Sequence, residues 1–150
     1  MVVLQLQLVQ ERVRKMRKID KIIIHCSATK EGADFHVKDI DRWHKQKGYK
    51  CVGYHYVITL DGAIEKGRNE DEIGAHCKGY NANSIGICYI GGLDKEGNAK
   101  DTRTVQQRAA LYLLLNQLKE KYPNATIHGH NEFANKACPS FDVQAEYGDM

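Results

Sequence analysis

The stretch "TIHGHNEFANKACPSFD" brings His128, His130, Lys136 and Cys138 within a few residues of one another. A packed core needs none of these groups. A catalytic metal site uses three protein ligands and leaves one position open for water. Cys138 suits it because a thiolate beside a metal is stabilised, and Lys136 adds positive charge nearby. One histidine of this stretch supplies a second ligand. His25, at the end of the apolar run in "DKIIIHCSAT", supplies a third. His128 and His130 lie two apart, so in an extended chain both point to the same side. Their spacing does not choose between them.

Further polar side chains stand where strands and loops are expected: Tyr54 and His55 in "VGYHYV", and His76 in "GAHCKGYNANS". Taken singly, Tyr54 reads as a buried aromatic with one satisfied hydroxyl, and the glycines around "CKGYNANS" as turn residues.

These groups need a scaffold, and the hydrophobic pattern describes one. "DKIIIHCSAT" and "SIGICYIGG" read as buried strands, the second closed by glycines. "VKDIDRWHKQKG" places Val37, Ile40, Trp43 and Lys47 at helical spacing and stops at Gly48. "VGYHYVI" and "AIEKG", joined through "TLDG", predict a hairpin with Asp61-Gly62 in the turn. In "TVQQRAALYLLLNQLKEKYP", Thr104 and Gln107 form a capping box, and Leu111, Leu114, Leu115 and Leu118 build an apolar stripe. Pro123 lies beyond its end. "ATIHGH" returns as a short strand. Interspersed strands and helices with one hairpin predict an α/β domain, its central mixed sheet flanked by helices. Residues 1–20 read as an N-terminal arm, with "VVLQLQLV" an edge strand and "QERVRKMRK" a basic helix or mobile arm. Residues 21–150 form the domain.

Bulk properties narrow the function. At 150 residues the chain is long enough for one domain with a core of its own. A net charge of +3 is too small for the dense basic stripe that nucleic acid requires. Five cysteines without framework spacing argue against a disulfide scaffold. No window reaches the ~18 apolar residues of a membrane span. The start carries its apolar piece before its charges, the reverse of a secretory signal. The chain therefore reads as cytoplasmic without a signal peptide, and a monomer by default. A target beyond the membrane would be reached only after another agent released it.

Four blocks occur in order: "IIIHCSAT", "VGYHYVITLDGAIEKGR", "GAHCKGYNANSIGICYIGG" and "HNEFANKACPSFD". Together they resemble the signature of the type-2, zinc-dependent N-acetylmuramoyl-L-alanine amidases. The resemblance is greatest to the short amidase lysozymes of T-odd phages, with animal peptidoglycan recognition proteins more distant. It runs from about Lys21 to Asp142. It implies a peptidoglycan hydrolase of endolysin type that cleaves the amide between N-acetylmuramic acid and L-alanine. The implied cofactor is one catalytic zinc ion held by His25, His130 and Cys138, with His128 a bystander. Tyr54 and Lys136 take the catalytic positions, and His76, Asn81 and Asn83 fall in the loop lining the glycan-peptide groove. Two alternatives share this fold: a non-catalytic peptidoglycan-binding module, and an inhibitor of a phage RNA polymerase. The polymerase partner rests on family analogy alone. Two departures stand out. Asn135 occupies a place where the family often has proline, and the first twenty residues do not match.

Overall fold

In the computed structural model the backbone is described for residues 2–15 and 17–150. Helix α1 spans Val2–Lys15, so "VVLQLQLV" is helical rather than an edge strand. Its leucines and glutamines are good helix formers, which outweighs the alternating pattern. The chain enters the body at Arg17, which donates from Nε to Glu70 O at 2.9 Å and from Nη1 to Asn81 O at 3.1 Å. Among the described residues no helix is long and apolar enough to cross a membrane.

The main sheet has five strands: β1 (Lys21–Cys26), β3 (Tyr56–Ile58), β4 (Ile64–Lys66), β5 (Ser84–Tyr89) and β7 (Thr126–Gly129). Their order is β4-β3-β5-β1-β7. Only β3 and β4 run antiparallel, and the other neighbours are parallel, which gives the mixed sheet expected from the hairpin. The hairpin strands are shorter than their sequence pattern, but bonds such as Gly67 N–H to His55 O at 2.9 Å continue the pairing beyond them. A second ladder joins β2 (Thr29–Lys30) to β6 (Gly92–Leu93).

Strand β1 lies inside the sheet and is buried on both faces, and its two faces serve different layers. Ile22, Ile24 and Cys26 pack with Ile85, Ile87, Tyr89 and Ile127 against Leu111, Leu114, Leu115 and Leu118 of helix α3 (Val105–Lys121). Val143 and Tyr147 of α4 (Val143–Tyr147) close the same layer. On the opposite face Ile40 of α2 (Val37–Gln46) packs with Val52, Val57, Cys88 and Ile90. Period-two alternation therefore turns His25 toward the α2 face.

Local chemistry sets where these helices begin and end. Thr104 Oγ1 accepts from Gln107 N–H at 3.0 Å while Gln107 Oε1 accepts from Thr104 N–H at 2.9 Å, the reciprocal cap that the sequence predicts. Helix α2 is capped from outside: Glu65 Oε1 on β4 accepts the Val37 N–H at 2.8 Å. It ends before Gly48, whose φ of +96° lies where other residues are strained.

Candidate active site

Three segments deliver the candidate ligands to one place. His25 is the penultimate residue of β1 and is 1 % exposed. Strand β7 runs parallel to β1 with Gly129 opposite Ile24, so the chain leaving β7 sets His130 beside His25. The two rings lie 4.6 Å apart, and a short 3-10 turn over His130–Glu132 begins at that point. Cys138 comes from the following loop. Its Sγ accepts from the Cys26 N–H at 3.2 Å, and Tyr89 Oη, donating to Pro139 O at 2.6 Å, pins the adjoining residue. Ser140 Oγ donates to Gly92 O at 2.9 Å and ties the far side of the loop to β6.

The ligand atoms of His25, His130 and Cys138 all lie within 4.8 Å of one another. Bonds of about 2.0–2.3 Å at tetrahedral angles set ligand atoms roughly 3.3–3.8 Å apart, so a closure of up to about 1 Å places all three on one ion. The set fits a borderline-soft cation: two imidazole nitrogens and one sulfur, with a fourth position left for water or substrate. Burial pushes His25 well below the ordinary histidine range, helped by the neighbouring His76, His130, Lys136 and His44. Burial and then the Lys136 charge also lower His130. Both imidazoles are thus neutral at pH 7, the form that binds a metal.

A groove of about 770 Å³ opens beside this cluster. Tyr54, His130 and Lys136 line both it and an adjoining recess of about 250 Å³ that reaches Cys138. The Tyr54 ring stands 5.0 Å from that of His25. Burial pushes its phenol well above the ordinary value, so Tyr54 remains a hydrogen-bond donor near neutral pH. Lys47 and Lys78 also line the groove, and no Asp or Glu does.

The structure separates the two histidines that spacing alone leaves open. Both ring nitrogens of His128 are engaged outside the cluster, by Thr126 Oγ1 at 2.6 Å and Glu132 Oε1 at 2.8 Å. It distributes the three loop residues as well. His76 lines the groove but its Nδ1 contacts His25 at 2.8 Å. Asn81 lines the groove while its Oδ1 accepts from the backbone of His76 and Cys77. Asn83 lines a separate depression with Asp20, Lys21 and Tyr80.

Sequence reasoning overlooked four groove residues: His44, Tyr49, Lys78 and Phe133. His44 was detectable, since it follows Ile40 by four residues on the same helix. Its Nδ1 accepts from Gly53 N–H at 2.8 Å, and this fixes the ring at the groove wall.

Residues 15–141 match the family described as N-acetylmuramoyl-L-alanine amidase. The endolysin of Enterobacteria phage K11 is 46% identical over 130 residues, covering 87% of this chain and 86% of that protein. The endolysin of Escherichia phage T7 is 45% identical over 131 residues, covering 87% of each. Among solved structures, the N-acetylmuramoyl-L-alanine amidase LysC from Clostridium intestinale superposes with a TM-score of 0.74 at 28% identity, over 89% of this chain and 87% of that one. Drosophila peptidoglycan recognition protein LB gives 0.75 at 25% identity, over 88% and 82%.

Proposed function

This chain belongs to the N-acetylmuramoyl-L-alanine amidase family, and from that premise we propose that His25, His130 and Cys138 hold a catalytic zinc ion. The observation that carries the reading is the convergence of these three ligand atoms, from three separate segments, beside the groove. The activity is hydrolysis of the amide between N-acetylmuramic acid and L-alanine in peptidoglycan, in the manner of a phage endolysin. A zinc ion held by such a set supplies Lewis acidity and makes water a competent nucleophile near pH 7.

The chain's own groups do the rest. The amide lies along the groove with its carbonyl toward Lys136, whose ammonium donates to the oxygen as negative charge develops there. A preorganised donor of this kind acts in the transition state and needs no reorganisation during reaction. Tyr54, still protonated, hydrogen-bonds the attacking water or the tetrahedral oxygen. His25 is buried at the base of the site and Cys138 is partly buried beside it. Lys47 and Lys78 give the groove a positive lining. That suits a stem peptide, which carries free carboxylates beyond the cleaved bond.

Metal content tests the ligand assignment. Purified wild-type protein and its His128→Ala variant should each bind one zinc per chain, and His130→Ala should lose most of it. Loss of zinc in His128→Ala with retention in His130→Ala would reverse the assignment.

A further inference from the structure

His25 turns its two ring nitrogens in opposite directions. Nδ1 faces Cys138 Sγ at 3.8 Å, and Nε2 faces His76 Nδ1 at 2.8 Å. The far nitrogen of His76, Nε2, stands 3.2 Å from Oγ of Ser84. The two imidazoles meet edge-on, with centroids 4.9 Å apart and planes at 90°. A neutral imidazole carries one N–H and one lone pair. Two imidazole nitrogens at 2.8 Å therefore need one donor and one acceptor.

Only one of the two arrangements leaves the ligand cluster open. If His76 donates to Nε2 of His25, the remaining proton of His25 sits on Nδ1, facing Cys138, and a cation is excluded. If Nε2–H of His25 donates to Nδ1 of His76, Nδ1 of His25 is bare. His76 then carries its own proton on Nε2, directed at the Ser84 hydroxyl.

The position of His76 is built rather than incidental. Its side chain is partly buried, and the N–H groups of His76 and Cys77 converge on Asn81 Oδ1 at 2.8 and 2.9 Å. Two glycines make room for it. A Cβ at Gly86 on β5 would meet His76 Cγ at 2.6 Å, and one at Gly74 would meet His76 Cδ2 at 2.7 Å. Gly86 lies opposite Ile23 in the ladder with β1, two residues before the ladder reaches His25.

We propose that His76 is a positioning residue for His25, fixing its Nε2–H tautomer through a His25–His76–Ser84 relay so that Nδ1 is presented bare to a metal ion. The inference rests on reading His25, His130 and Cys138 as metal ligands. Hydrogen-bond partners that orient a ligating histidine are typically worth about 10–100-fold in metal affinity.

The test is zinc affinity of the folded full chain, measured by chelator competition, together with 15N NMR of the imidazole nitrogens in metal-free protein. Wild-type protein without metal should show the His25 proton on Nε2 already. His76→Phe keeps a ring but loses the acceptor, and should bind zinc about 10–100-fold more weakly. His76→Asn keeps an acceptor oxygen close to the place of Nδ1 and should recover most of that loss. A His25 proton on Nδ1 in the metal-free wild type would overturn the proposal, and this measurement needs no variant to fold. Wild-type affinity in a folded His76→Phe, or equal weakness in His76→Asn and His76→Phe, would overturn it too. Failure of the ligand reading looks different: the wild type itself would take up no zinc, or His25→Ala would bind it undiminished.

Discussion

His25 Nδ1 and Cys138 Sγ lie 3.8 Å apart, although 113 residues separate them along the chain. The contact joins the end of strand β1 to a loop held by Tyr89 and Ser140. Cys138 opens onto a recess whose charged lining residues are Lys47 and Lys136. The reactivity of this site follows from that relationship.

Lys136 lines both cavities, and its charge acts on both His25 and His130. Removing one preorganised oxyanion donor costs roughly 100- to 1000-fold in rate. Lys136→Ala should fall by that amount in amide hydrolysis while retaining one zinc per chain. Steady-state rates on soluble muropeptide, beside metal analysis of the same sample, check this. A near-wild-type rate would remove Lys136 from the mechanism.

Metal binding should tighten as pH rises. The Cys26 side chain and burial push the Cys138 thiol up, whereas burial pushes His25 down. The histidine is then already in its binding form at pH 7, and the thiol must give up its proton as the ion arrives. Calorimetry in buffers of different ionisation enthalpy should show proton release on zinc binding. Affinity independent of pH between 6 and 8, about the physiological range, would contradict this.

Mild acid should destabilise the protein through its buried histidines. His55 accepts from Gly86 N–H at Nδ1, 3.0 Å, and its Nε2 stands 2.8 Å from Glu72 O, while burial brings its pKa down to about 4. Unfolded, a histidine titrates near 6.5. Below that pH the unfolded chain takes up a proton that the folded chain refuses. Stability is therefore complete above about pH 6.5 and is lost progressively toward pH 4, by up to about 3 kcal/mol from this group. His25, His44, His76 and His130 are shifted in the same direction, and exposed His36, raised by Glu65, opposes them. Glu70 and Asp101 are both lowered from values already below 5, so they act in a more acidic window. Urea midpoints should fall between pH 7 and 5. A flat profile there would contradict the buried-histidine account.

Charge reversal in the groove should act on substrate binding alone. Lys78→Glu should raise KM on muropeptides with free stem carboxylates, leaving zinc content unchanged. Amidated stems should be affected less. Equal effects on both substrates would point to a role other than carboxylate recognition.

Much of this arrangement was legible in the residues, for physical reasons that differ from element to element. The apolar run ending at His25 reads as a buried strand, and β1 is one. Thr104 and Gln107 announced the start of α3 by chemistry local to one turn. The loop "NEFANKACPS" advertised Cys138 because a lysine and a cysteine stand close together there, although Cys138 also packs against the core. Other features depended on contacts across the sheet. His128 and His130 share a period-two side, and it took Glu132 turning back onto His128 to separate them. The role of His76 was hidden because its partner, His25, is 51 residues away in sequence. Asn81 reads as a groove residue, yet its carbonyl oxygen also holds two backbone N–H groups, which no spacing rule reveals. At residues 2–15 the alternating pattern suggested a strand, yet its leucines and glutamines favour the helix that forms.

The most direct test of the central claim is mass spectrometry of purified peptidoglycan digested by the wild-type protein, with and without a chelator. New free L-alanine amino termini should form, vanish when the chelator is present, and return when zinc is restored. Cleaved glycan strands with intact muramoyl-alanine amides, or amide cleavage unaffected by the chelator, would contradict a zinc amidase.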